Sequence, residues 1–167
     1  MFEWSTLWLI LHILAVIVAW GPTFVFGIIG AAIQKDPQHA LFGVRLSNTI
    51  EKRLVIPAFT LAPLFGAALI FTRRYEFWKS TWLLAATGLF LVAYTIGVGP
   101  SRINGHRIQE KLEGMMEGKG GPETIAEVQA MGKRSQMLGI AMAVLTLGVL
   151  VLMIWKPGSC FVGQTNC

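Results

Sequence analysis

The stretch Leu7–Ile33, "LWLILHILAVIVAWGPTFVFGIIGAAI", contains no Asp, Glu, Lys or Arg. A helix needs about 20 apolar residues to cross the hydrocarbon core of a bilayer, so this run spans one with residues to spare. Three further runs are equally free of acidic and basic residues: Leu54–Phe71, Ser80–Val98 and Leu138–Trp155. The chain as a whole is 54% hydrophobic and only 14% charged, whereas an average soluble domain has about a quarter of its residues charged. These observations predict an all-α integral membrane protein, a four-helix transmembrane bundle. It forms one domain over residues 1–167, with spans at about 5–33, 54–72, 79–98 and 137–156. The opening "MFEWS" lacks the basic start of a secretory signal, and the first run is read as a mature span.

The net charge of +5 does not point to nucleic acid, because the basic residues fall between apolar runs rather than along one face. They point to membrane orientation. The segment after the first span carries Lys35, Arg45, Lys52 and Arg53, and the segment before the fourth carries Arg102, Arg107, Lys111, Lys119, Lys133 and Arg134. The opposite side has only Arg73, Arg74, Lys79 and Lys156. Basic loops stay in the cytoplasm, so both termini are expected outside, in a bacterial inner (cytoplasmic) membrane. Trp4, Trp8, Trp78, Trp82 and Trp155 fall at outer helix ends, where indole rings favour the interface; Trp20 alone lies deep. An outer compartment permits disulfides, which makes Cys160 and Cys167 of the tail "KPGSCFVGQTNC" a candidate pair, with free or lipidated thiols as the alternatives.

The segment 100–135 is too long for a plain connection. "SRINGHRIQEKLEGMMEG" is rich in helix formers, "GKGGP" reads as a turn, and "PETIAEVQAMGKRSQ" opens with Pro and early acids, as helices do. A cytoplasmic helical hairpin prolonging spans three and four is expected there. Between the first two spans, "KDPQH" reads as a turn and "ALFGVRLSNTIEKR" as a short amphipathic interfacial helix leading into the second span, and this piece and the hairpin together are expected to form a small cytoplasmic cap.

Small residues recur at every fourth position of the first span, Ala15, Ala19, Thr23, Gly27 and Ala31. Such rows let helices approach closely in lipid, where packing must supply the association. Ala58, Ala62 and Gly66, and Gly139 and Ala143, repeat the pattern. Pro22, after Gly21, and Pro63 each remove a backbone donor inside a span and are expected to kink it. At about 100° per residue, His12 lies within about 20° of Ala19 and Thr23, so it faces the bundle. Two roles stand open for it: a neutral imidazole bonded to a neighbouring helix, with Thr87 at similar depth, or a single ligand to a metal or tetrapyrrole such as haem or chlorophyll magnesium. His39 and His106 lie in the cytoplasmic segments, which disfavours a haem held by two histidines of this chain.

"GMMEGKGG" superficially resembles a phosphate loop, but its spacing is one residue short and no Ser or Thr follows Lys119. His106 and Glu110 share one helical face, as a solvent-side ion pair does. No catalytic residues are assigned and no metal site is read.

The fragments "LHILAVIVAWGPTF", "RLVIPAFTLAPLFGAAL", "VGPSRINGHRIQEKL" and "VLVLMIWKP", in this order and spacing, resemble the Domain of Unknown Function 2269 family of bacterial integral membrane proteins. The first fragment is also distantly similar to copper-resistance D-like membrane proteins, a resemblance that implies haem b for some members. The expected function is a non-catalytic accessory or structural subunit of a larger membrane assembly, respiratory or photosynthetic, or a homo-oligomer. Lipid and a membrane protein are the expected partners, without nucleic acid and without a cofactor. The alternatives are a redox or pigment protein using His12 and a carrier for a small solute or metal using the Pro22 and Pro63 kinks.

Overall fold

The computed structural model describes residues 3–163. Four helices make up most of it: α1 Trp4–Lys35, α2 Pro37–Thr72, α3 Thr81–Met116 and α4 Pro122–Trp155, each long and apolar enough to cross a membrane. Short connections at Asp36, 73–80 and 117–121 make consecutive helices antiparallel neighbours. The expected hairpin is present, since α3 and α4 run on past their apolar spans and meet at the "GKGGP" turn, where Gly118 takes φ +77°. The glycine-rich stretch that superficially resembles a phosphate loop is the last residues of α3 and this turn.

The first connection is helical, as expected: residues 40–50 are the first turns of α2 and lead into its span. The junction is a π-helical turn over Glu51–Val55, in which the Ile56 N–H donates to the Glu51 carbonyl five residues back. Proline lacks an N–H and crowds the carbonyl four residues earlier, so a widened turn just before Pro57 lets the helix continue. A matching π turn over Gly97–Ser101, containing Pro100, joins the span of α3 to its extension.

In the membrane region the helices pair as two close hairpins, α1 with α2 and α3 with α4. Ala15, Ala19, Ala58 and Ala62 are buried, and these small side chains allow the α1–α2 approach. Thr23 is half-buried, whereas Gly27 and Ala31 are exposed. A strict four-residue spacing advances about 40° per step around a helix of 3.6 residues per turn, so such a row leaves any one contact line after two or three members. Pro22 and Pro63 both lie inside continuous helices. Aromatic rings join the two hairpins. Phe59 sits with its ring centroid 4.9 Å from Trp20, 5.3 Å from Phe90 and 5.9 Å from Tyr94, and Met142 and Leu145 of α4 pack on this group.

At the other end the tail folds back over the 73–80 connection, an arrangement the sequence did not suggest. Tyr75 and Phe161 form an antiparallel bridge and their rings stack at 4.6 Å. The Ser80 hydroxyl donates to the Cys160 carbonyl and accepts from the Cys160 N–H, both at 3.1 Å, and both residues are fully buried. Lys156 lies over the rings of Tyr75 and Trp82. Trp82 is therefore buried beneath the tail rather than facing lipid, unlike Trp4, Trp78 and Trp155. Cys167, the expected partner of Cys160, lies outside the described residues. Ser80→Ala leaves the buried Cys160 N–H without its acceptor, a cost of about 1–3 kcal/mol. Amide exchange at Cys160 and Val162 is expected to quicken by roughly tenfold or more, with the spans unaffected.

Candidate functional site

His12 sits between α1 and α2. Its Nδ1 lies 2.7 Å from the Ala62 carbonyl oxygen, and a carbonyl only accepts, so Nδ1 carries the proton and the ring is fixed in one tautomer. Its partner is thus the α2 backbone, not Thr87. The absence of a side chain at Gly66 makes room for the ring, since a Cβ there would stand 3.2 Å from the imidazole. In the neutral ring the other nitrogen, Nε2, is then the one with a free lone pair. Imidazoles that bind metals are commonly held this way, with the non-ligating N–H given to a carbonyl. Among the described residues no group of three or more His, Cys, Asp or Glu is arranged to hold a metal ion.

The richer chemistry lies beyond the π turns, where the extensions of α2, α3 and α4 form a three-helix cap. Asn48 donates to Gln109 Oε1 at 2.7 Å and to the Gly105 carbonyl. Gln109 in turn donates to Glu113 at 2.9 Å, and Arg45 reaches the same carboxylate oxygen through Nε and Nη2 at 3.1 and 2.9 Å. These bonds hold the Glu113 carboxyl below its usual pKa, the Gln109 bond first and the Arg45 bond second. On the α3–α4 side the buried Asn104 amide donates to the Met131 carbonyl at 2.8 Å and to Ser135 Oγ at 2.7 Å, and Lys111 pairs with Glu127. This network holds residues 40–50 against α3 through Arg45 and Asn48.

Burial pushes the carboxyl of Glu51, the first residue of the first π turn, above the usual range, and nearby Arg102 and His106 partly offset that rise. His106, Arg102, Arg107 and Glu110 line an open groove on one face of α3, so His106 and Glu110 share a face as expected. His39 is elsewhere, bonded to Asp36 at 2.7 Å; the structure does not bring the two histidines together. A carboxyl whose folded pKa is raised binds its proton more tightly in the folded state, so its contribution to stability is lost as pH rises from the unfolded toward the folded pKa. Glu51→Gln is expected to raise the thermal midpoint above the carboxylate range and to match wild type in acid, as read by thermal unfolding in mild detergent across pH.

The polar residues of the cap were missed as a site because Asn48, Asn104 and Gln109 form no spaced motif. Their one signal is position: amides at helix-facing positions within a segment of nearly balanced charge. Residues 6–157 match a family model, Domain of Unknown Function 2269, described as a predicted integral membrane protein. No curated protein and no solved structure matches the chain.

Proposed function

The chain belongs to the Domain of Unknown Function 2269 family of predicted integral membrane proteins, and from that premise we propose that it serves as a non-catalytic accessory or structural subunit of a larger membrane assembly or a homo-oligomer. The observation that supports this reading is the cap. A chain of side-chain hydrogen bonds from Arg45 through Glu113 and Gln109 to Asn48, and from Asn104 to Ser135, fixes three helix extensions outside the apolar spans. Satisfied polar networks of this kind rigidify what they join, and a rigid surface loses little conformational freedom when a partner docks. The distribution of Lys and Arg supports placing the cap in the cytoplasm and both termini outside, in a bacterial inner membrane. An outward tail supports a disulfide between Cys160 and Cys167; equal intact masses after alkylation with and without reductant contradict it. The subunit reading is tested by extracting the protein from its own membrane in mild detergent and sizing it. A species larger than one chain with its micelle is expected, and a monodisperse monomer overturns the proposal.

The fixed tautomer of His12 favours a second reading, a tetrapyrrole held by Nε2 as single ligand, because the hydrogen bond to Ala62 orients the ring as a ligand requires. Its test is the visible spectrum of natively purified protein beside His12→Ala. A band present in the wild type and lost in the variant supports this reading, and a colourless wild type excludes it.

A further inference from the structure

The four helices do not leave their apolar spans at the same level. Contacts fix the register of α1 on α2: Trp8 stacks on Phe65, His12 bonds Ala62, Trp20 packs on Phe59, and Ile29 and Ile33 border Gly43. In this register Lys52 and Arg53, which precede the apolar span of α2, stand level with the turn of α1 that follows Pro22. The span of α3 ends at a similar level, because Asn48 of α2 bonds the Gly105 carbonyl and Gln109 of α3, a few residues beyond that span. α1 nevertheless continues through Phe24–Ile33 without a charge, about 15 Å further at 1.5 Å per residue, beside the polar cap. Its outward face there is uncovered: Phe24 is 72% and Ile28 71% exposed, and neighbouring Phe42 of α2 is 69% exposed. Ile29, Ala32 and Ile33 of α1 join Phe42, Gly43 and Leu46 of α2 in lining an apolar groove, with the Asp36–His39 pair at its mouth.

We infer that this projecting face of α1 and its groove hold the acyl chain of an anionic phospholipid drawn above the leaflet plane. Two observations favour lipid as the occupant. The face is continuous with the lipid-facing side of the same helix, through Ile10, Ile13, Ile17, Phe24 and Ile28, all exposed. The exposed cations at its level, Lys35 at the tip and Lys52 and Arg53 at the root, complement an anionic headgroup, and each such contact is worth about 1 kcal/mol. Gly43 shapes the groove: a Cβ there would stand 2.7 Å from the Ile33 side chain, so the glycine brings the two helix ends together.

The test places a photoreactive benzophenone amino acid at Phe42, at Ile28, or at Ile140 on the lipid-facing side of α4 as a control. Each form is reconstituted in vesicles of phosphatidylethanolamine and phosphatidylglycerol, irradiated and weighed intact. Phospholipid adducts are expected at all three positions. Exchanging phosphatidylglycerol for phosphatidylcholine is expected to lower the Phe42 yield roughly fivefold for each lost cation contact and to leave the Ile140 yield unchanged. The proposal is overturned by an adduct to a second copy at Phe42 or Ile28, by no adduct there while Ile140 reacts, or by a yield at Phe42 unaffected by the lipid exchange.

Discussion

Phe59→Ala is expected to lower the unfolding midpoint further than any other single truncation in the spans. Phe59 is 5% exposed and its ring touches Trp20 of α1 and Phe90 and Tyr94 of α3, so it ties the two hairpins together within the membrane region. In a soluble core a buried Phe→Ala change costs about 3–5 kcal/mol, part transfer from water and part residual cavity. Lipid tails are as apolar as the core, which removes much of the transfer part. The void against three rings remains, and a loss of about 2 kcal/mol or more follows. Phe71, 81% exposed at the other end of the same helix, is the control, because Phe71→Ala leaves no internal void. Thermal unfolding of both variants in mild detergent checks this, and equal shifts would show that the rings do not join the hairpins.

Gly105→Val is expected to break the cap and leave the spans folded. A Cβ at Gly105 would stand 2.8 Å from Asn48 Oδ1, so valine must push the Asn48 side chain out. That move breaks its bond to Gln109 and disturbs the bonds that Gln109 and Arg45 make to Glu113. Overpacking costs about 1–3 kcal/mol, and each lost hydrogen bond adds about 1 kcal/mol. Amide exchange is expected to rise across residues 40–50 and 102–113 and to stay slow in the spans. Adding Asn48→Ala to Gly105→Val should recover the steric share, a coupling that two independent sites would not show. Protection that falls equally in cap and spans would contradict the separation of the two parts.

The spans, the α3–α4 hairpin and the inward face of His12 were legible in the sequence because each rests on one helix at a time: the length of an apolar run, a glycine turn followed by a Pro start, an angle of about 100° per residue. What the sequence did not reveal depends on register between helices. The Ala62 carbonyl has no side-chain signature as a partner for His12. Asn48 and Gln109 become a pair only when the π turns at Glu51–Val55 and Gly97–Ser101 carry α2 and α3 past their spans side by side. The same holds for Ser80 and Cys160, eighty residues apart and reciprocally bonded. The row Ala15 to Ala31 shows the opposite failing: a pattern plain in sequence, of which the helix geometry uses only the first members as an interface.

The proposed topology places the polar cap of the four-span bundle on the cytoplasmic side and both chain ends outside. The direct measurement is single-cysteine labelling in intact cells with a membrane-impermeant maleimide, with Cys160 and Cys167 replaced by serine. Trp78→Cys, at an exposed position of the 73–80 connection, is predicted to label from outside, and Lys119→Cys, at the cap turn, only after the cells are permeabilised. Labelling of Lys119→Cys in intact cells, with Trp78→Cys protected, would overturn this topology.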